Sequence, residues 1–433
     1  MRNLPPAFLE KMQKMLPADE WEDFLRVYEG QPVKGLRVNP LKCSRGWFLS
    51  RRLFVERPIP WEENGFFISQ EKTGGHPYHF AGAYYLQEPS AMCAAPLLGV
   101  QAGERVLDLC SAPGGKGTQL AAAMSGKGIL VLNEPIPSRA KILLENVERM
   151  GVKNAVVTCA YPKDLSVRFP LYFDKILVDA PCSGEGMFRK NEKEALEEWS
   201  EENVSLCARR QADILDEATK MLRVGGRLVY STCTFSEEED EGQVRGYLQR
   251  HPEMKLIEMH KLYPHRVDGE GHFAALLEKT SGEETPRMKT VKTNLSSAAK
   301  QGYGAFEKET FVSPVDGALY EANGKVYALP EGMFEFSGLN VLRAGIKLGE
   351  MTGGRFVPAH ALAACSAMET CKNVVDMPVH DERVEKYLRG ETFEADGKDG
   401  WCLVCVDGLS LGWGKRVNGT VKNHFPKGLR KVK

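Results

Sequence analysis

The chain has 433 residues, and 57 Lys+Arg against 58 Asp+Glu leave a formal charge of −1. At roughly 150 residues per domain this implies two or three domains, and 42% hydrophobic with 27% charged residues excludes wholesale disorder, collagen and small disulfide scaffolds. No run approaches the ~18 apolar residues that cross a bilayer, and the start MRNLPPAFLEKMQ has no apolar signal core, so a cytoplasmic protein with eleven reduced cysteines and no membrane contact is expected.

Residues 7–29 read as a helical start, followed by a mixed segment containing GLRVNPLK and WEENGFFIS, and together they suggest an N-terminal module over 1–90. Over 91–280 the strand-like runs RVLDL, GILVLN, NAVVTCA, FDKILVDA and GRLVYST alternate with helical segments such as 138–150 and 200–222. That alternation predicts βαβ units around a parallel sheet, an α/β core. Residues 281–296 are polar and aperiodic and read as a linker, and 297–433 read as one or two small β-rich modules. From Gly408 onward there is no acid, while Lys415, Arg416, Lys422, Lys427, Arg430, Lys431 and Lys433 are interleaved with Trp413, His424 and Phe425. Such a tail suits contact with a polyanion plus stacking on unpaired bases.

The run RVLDLCSAPGGKG joins a buried-type strand to a helix expected to begin near Gly117, so a ligand belongs at that strand's carboxyl end. Gly114 and Gly115 allow close backbone approach, and the helix start offers unpaired N–H donors. A Walker A loop would need Gly at position 110 and Ser/Thr at 117, where Cys110 and Gly117 stand, and G-x-G-x-x-G is absent. What remains is a methionine-plus-nucleoside cofactor without phosphates. The next strand ends at Asn133-Glu134, about 20 residues past the loop, where a carboxylate accepts from a ribose diol.

Two later strands end in thiols: FDKILVDAPCSGEG carries Asp179 and Cys182, and GRLVYSTCT carries Cys233, followed by a helix start read with Ser236 as N-cap and Glu239 three residues on. Sequential strands are usually neighbours, so Asp179, Cys182 and Cys233 are expected on one rim beside the loop. Cys43, Cys93, Cys159, Cys207, Cys365 and Cys371 read as small core hydrophobes. Cys402 and Cys405 lack a second C-x-x-C and read as a period-two strand with Trp401, Leu403 and Cys405 on one face, and no metal site is expected. His76 and His79 have no ligand spacing, while His265 and His272 are candidates to line an RNA cleft.

LDLCSAPGGK, LVDAPCSGEG and YSTCTF, in this order and spacing, resemble the Sun (NSun-type) RNA cytosine-5 methyltransferases over residues 87–279. GLRVNP, GEGHFAALL and LGWGKRVNGTVKNHFPKGLR resemble their bacterial RsmF-like branch, which acts on small-subunit (16S) ribosomal RNA. The resemblance implies a Rossmann-like class I methyltransferase core between an N-terminal RNA-positioning module and a C-terminal PUA-like RNA-binding region. It implies S-adenosyl-L-methionine as cofactor, held by Cys110, Ser111, Ala112, Pro113, Gly114, Gly115, Lys116, Glu134, Arg139, Asp164 and Asp179. It implies Cys233 as the attacking thiol, Cys182 as the group that assists release, and Asp179 at the cytosine ring edge. Carbon 5 of cytosine is too weakly nucleophilic to be methylated unaided, so a thiolate must first add to carbon 6. Two alternatives are weighed. A non-catalytic ribosome-assembly factor would not need Asp179, Cys182 and Cys233, and an amino-group methyltransferase would carry an N/D-P-P-Y/F loop where DAPCSG stands.

Overall fold

Four sheets organise the described residues of the computed structural model, which are 4–69, 73–190 and 192–431. Helices Pro6–Met15 and Trp21–Val27 open the chain. They are separate because Pro17 has no N–H to continue a helical ladder, so the helical start expected over 7–29 is broken there. Next comes an antiparallel sheet of β1 (Gly35–Val38), β2 (Val55–Pro58), β3 (Gly65–Ile68) and β4 (Tyr84–Gln87), in the order β2-β3-β1-β4.

The central sheet is built from β5 (Arg105–Asp108), β6 (Ile129–Asn133), β7 (Ala155–Thr158), β8 (Phe173–Asp179), β9 (Leu222–Thr232), β10 (Met254–Leu262) and β11 (His272–Lys279). Strands β5 to β9 pair in parallel, while β11 and β10 add antiparallel beyond β9. Alternate residues face opposite layers: Leu107, Val131, Ile176 and Leu228 lie in one apolar cluster, Val106, Leu130, Leu177 and Val229 in the other. The chain runs β5-β6-β7 in one direction and returns to place β8 on the other side of β5. That reversal puts the topological switch point at the carboxyl ends of β5 and β8, where open α/β sheets bind ligands.

Beyond the core lie β12 (Ala318–Ala322), β13 (Lys325–Leu329), β14 (Val341–Ala344), β15 (Ile346–Thr352) and β16 (Arg355–Pro358), then β17 (Val374–Met377), β18 (Phe393–Glu394), β19 (Gly400–Val406), β20 (Leu409–Val417) and β21 (Thr420–Asn423). Two small sheets result, β12-β13-β15-β16 and β17-β19-β20-β21-β18. The C-terminal region is not wholly separate from the core, because β14 pairs antiparallel with β7. Every residue of β7 is buried, and β14 caps the row of backbone groups that a free edge would leave unpaired.

Strand β19 alternates as expected, with Trp401, Leu403 and Cys405 toward one cluster, but its other face is also buried, through Cys402 and Val404. That second cluster joins the chain's two ends: Leu36, Phe48 and Tyr84 share it with Tyr387, Val404 and Phe425. The stacking role expected of the tail is corrected here. Trp413 and Phe425 are 1% and 3% exposed, and Arg416 is buried, donating to Asn373 Oδ1 at 2.9 Å and to the Lys398 carbonyl at 2.8 Å. Arg430 binds the Phe425 carbonyl and Lys431 pairs with Glu385, while Lys433 lies outside the described residues. The ring pair nearer the surface is Trp401 and His424, with centroids 4.5 Å apart.

Candidate active site

A cavity of about 250 Å³ opens at the switch point. Its wall includes Cys110, Ser111, Ala112, Pro113, Gly115 and Lys116 from the loop after β5, Asp179 from β8, Cys233 after β9 and His272 from β11. Tyr85, Gln87 and Glu88 close it from the N-terminal module. No sequence motif marked those three residues, since only the packing of β4 against the loop brings them in.

The helix after the loop begins at Gly115, two residues before the expected start, with Gly114 at φ +109 as its N-cap. A Cβ at Gly117 would meet Ser111 Oγ at 2.6 Å and Leu132 at 2.8 Å, so the loop folds tightly only with glycine there. Asp108, fully buried at the end of β5, accepts from Ser111 Oγ at 2.8 Å, while its Oδ1 has no partner among the described residues. Burial pushes its carboxyl up to about 7.

Glu134 is buried beside the loop, accepting from the Ile136 N–H at 3.0 Å and lying 3.5 Å from Arg139, whose other nitrogen donates to the Ala112 carbonyl at 3.1 Å. These two residues brace the loop from outside the cavity wall. Asp164 is not brought to the site: it stands exposed on the first turn of helix Pro162–Arg168, so its cofactor assignment finds no geometric support.

The two thiols meet. Cys182 Sγ and Cys233 Sγ are 3.4 Å apart because β8 and β9 are parallel neighbours in register through Asp179 and Ser231. Contact with Cys233 and burial both push the Cys182 thiol up, so Cys182 resists losing its proton while the two sulfurs are in contact. Ser183 Oγ bonds Thr234 Oγ1 at 2.8 Å, and Gly186 N–H donates to the Cys233 carbonyl at 2.9 Å, tying the two thiol loops together. Ser236 and Glu239 do not form the expected helix cap. The helix begins at Glu241, and the Glu239 carboxylate instead accepts from the Ser183 N–H at 3.0 Å and from Gln211 at 2.8 Å.

Asp179 accepts from Lys116 Nζ at 2.8 Å and from Ser231 Oγ at 2.8 Å. Burial alone would raise its carboxyl, but the Lys116 charge and the hydrogen bonds from Lys116 and Ser231 outweigh it and hold Asp179 below the usual carboxylate range. Lys116 therefore serves two neighbours, since it ends the glycine loop and neutralises the acid beside the thiols. His265 is not in this cleft: it binds Glu20 at 2.7 Å and packs on Phe24 and Tyr263. Among the described residues no group of His, Cys, Asp and Glu could hold a metal ion.

Family models described as 16S rRNA methyltransferase RsmB/F, the N-terminal domain of 16S rRNA methyltransferase RsmF, the RsmF rRNA methyltransferase first C-terminal domain and the methyltransferase RsmF PUA domain match residues 95–278, 4–89, 305–365 and 374–431. The chain is 35% identical to the ribosomal RNA small subunit methyltransferase F of Vibrio vulnificus, across 98% of this chain and 97% of that protein. It is 32% identical to the Erwinia tasmaniensis protein of the same name, across 98% and 96%. Among solved structures, a methyltransferase homolog protein from Pyrococcus horikoshii is similar at 25% identity and a TM-score of 0.56, across 64% of this chain and all of that one. NSun6 from Pyrococcus horikoshii with SFG shares the fold at 23% identity and a TM-score of 0.58, across 64% of this chain and 99% of that one.

Proposed function

The chain belongs to the RsmF family of 16S ribosomal RNA methyltransferases, and from that premise we propose that it methylates carbon 5 of a cytosine in 16S rRNA through a covalent adduct on Cys233. The observation that carries the reading is the pair of thiols 3.4 Å apart beside the Lys116–Asp179 ion pair, at the switch point of the sheet. The region 1–90 would position RNA, 91–280 would carry the chemistry, and 297–433 would add RNA affinity. Among the described residues no helix is long and apolar enough to cross a membrane, and work on ribosomal RNA in the cytoplasm fits that.

The loop's backbone donors, the orphan oxygen of Asp108 and the carboxylate of Glu134 suit a cofactor with an amine, a ribose and no phosphate. S-adenosyl-L-methionine would be held by 110–116, Glu134, Arg139 and Asp179 and would supply the electrophilic methyl group. Cys233 adds as thiolate to carbon 6, and the displaced electron pair makes carbon 5 nucleophilic. Asp179, kept ionised by Lys116, stabilises the positive charge that develops on the ring edge as it takes a proton from solvent.

Release needs the carbon-5 proton removed, so that the C–H pair re-forms the double bond as the Cys233 sulfur departs with the C–S pair. The leading cause of the high Cys182 pKa is its contact with Cys233. Bonding Cys233 to carbon 6 removes that cause while burial still holds the thiol up; once Cys182 has given its proton to solvent, its thiolate can take the carbon-5 proton and so assist release.

The test is trapping. A Cys182→Ala enzyme should add and methylate but not let go, giving a denaturant-resistant protein–RNA band that requires S-adenosyl-L-methionine and that Cys233→Ala cannot form. Trapping by Cys233→Ala alone would exchange the roles, and no band in either variant would leave a binding platform.

A further inference from the structure

His272 lines the cavity wall, and the chemistry above gives it no role although it stands beside Asp179 and level with Cys233. It begins β11, one residue before Phe273, which pairs with Thr232 in the neighbouring β9, and this sets it level with Cys233. Its side chain is 1% exposed, and among the described residues neither ring nitrogen has a hydrogen-bond partner. The nearest acid, Asp179 Oδ1, is 3.9 Å from Nε2, outside hydrogen-bond reach.

A buried polar atom without a partner is destabilising, and His272 carries two. Gly271 fixes the approach of this residue: its φ is +115, and a Cβ there would strike the Phe235 ring at 2.4 Å. The imidazole thus lies unpaired in the wall of the cavity that also holds Cys233. Burial and the Lys116 charge push it down to about 3, so it stays neutral near pH 7 and offers one donor and one acceptor. A planar heterocycle with donor and acceptor atoms on its rim satisfies such a group, whereas a phosphate, which only accepts, does not.

We propose that His272 hydrogen-bonds the pyrimidine ring that enters this cavity, on the same edge that meets Asp179, 3.9 Å away, and so fixes how carbon 6 meets the Cys233 sulfur. This inference rests on the reading of the site as a cytosine-C5 methyltransferase. The bland possibility is that His272 only fills space beneath Asp179, and the two roles predict opposite orders of rescue. Phenylalanine keeps the ring volume and loses the polar atoms; glutamine keeps a donor and an acceptor and loses the ring.

The experiment uses the full-length enzyme and 16S rRNA transcribed with 5-fluorocytidine, in which fluorine at carbon 5 cannot leave as a proton does, so each adduct persists. Adduct formation rates and KM are measured for wild type, His272→Phe and His272→Gln, with S-adenosyl-L-methionine affinity by calorimetry as the check that each variant is folded. The expected result is unchanged cofactor affinity, a 10- to 100-fold slower trapping rate with raised KM for the phenylalanine variant, and at least a fivefold recovery for glutamine. Trapping by His272→Phe at the wild-type rate, or a glutamine variant no better than phenylalanine, would overturn the assignment of His272 alone. Absence of any adduct with the wild-type enzyme would instead overturn the cytosine-C5 reading, and this inference with it.

Discussion

Lys116 Nζ donates to Asp179 Oδ2 at 2.8 Å and thereby joins the end of the glycine loop to the strand that carries the Cys182 turn. One ion pair thus links the cofactor side of the cavity to the side that meets the base. Removing the cation leaves a largely buried carboxylate whose burial pushes its pKa up with less to oppose it. Lys116→Met should lower kcat/KM by about 10²-fold and move the acid limb of the rate profile to higher pH, because Asp179 must be ionised to act. Initial rates from pH 5 to 9 check this, and an acid limb that stays in place would show that Asp179 is not the ionising group.

Gly186 sits where the two thiol loops touch, its N–H donating to the Cys233 carbonyl at 2.9 Å. A Cβ there would meet the carbonyl oxygens of Cys233 at 2.9 Å and Gly271 at 3.0 Å, and both are backbone that cannot swing aside. Gly186→Ala should therefore cost about 1–3 kcal/mol of stability by overpacking. It should also slow turnover by more than that loss explains, since the shift separates Cys182 from Cys233. Denaturant melts set against single-turnover rates separate the two effects.

The chemistry-bearing residues were legible in the sequence because each stands at a strand end with polar or glycine neighbours, and strand order follows from βαβ alternation. Cys182, Cys233 and Asp179 meet for that reason. Gln87 and Tyr85 were not legible, since nothing local distinguishes a strand residue packed on its own module from one that reaches another. The edge strand β14 was hidden for a similar reason: its four residues carry no signal that their partner is β7, almost two hundred positions earlier. In the tail, the sequence pattern showed cations and aromatics but not that β20 is buried along most of its length, which turns Trp413 and Arg416 into core residues.

That correction changes how the tail should be tested. Truncation after Ser410 would remove most of β20 and all of β21 and unfold the sheet, and Trp413→Ala alone should cost about 3–5 kcal/mol. The exposed cations Lys422 and Lys427 can be changed without touching the core. Lys422 lies opposite Lys415 in the β20–β21 register, near the Trp401–His424 pair. Replacing Lys422 and Lys427 by glutamine should leave the melting temperature unchanged and reduce the slope of log affinity against log salt by up to ~1.4, at ~0.7 per single-strand phosphate contact. An unchanged slope would remove this face from the RNA footprint.

Asp108 makes a prediction about stability rather than rate. Its carboxyl is fully buried, holds one hydrogen bond from Ser111, leaves Oδ1 without a partner, and is pushed up to about 7 by burial. In the unfolded chain an aspartate titrates near ~3.9. Below about pH 4 both states are protonated and the folded state keeps its full stability. Between about pH 4 and 7 the unfolded chain gives up the proton while the folded protein retains it, so stability falls as pH rises, and the loss is complete once pH passes the folded value. At 1.36 kcal/mol per pH unit that window amounts to about 4 kcal/mol at most. Asp108→Asn keeps an acceptor for Ser111 and cannot ionise, so the cofactor-free variant should gain on wild type steadily from pH 4 to 7 and hold that gain above it. Asp240, also pushed up by burial, to about 8, and facing Lys261, contributes the same background to both proteins and cancels in the difference. Urea melts of both proteins at half-unit pH steps measure that difference. A flat difference across the window would mean that Asp108 is already ionised in the folded protein, which requires a cation or ordered water at Oδ1.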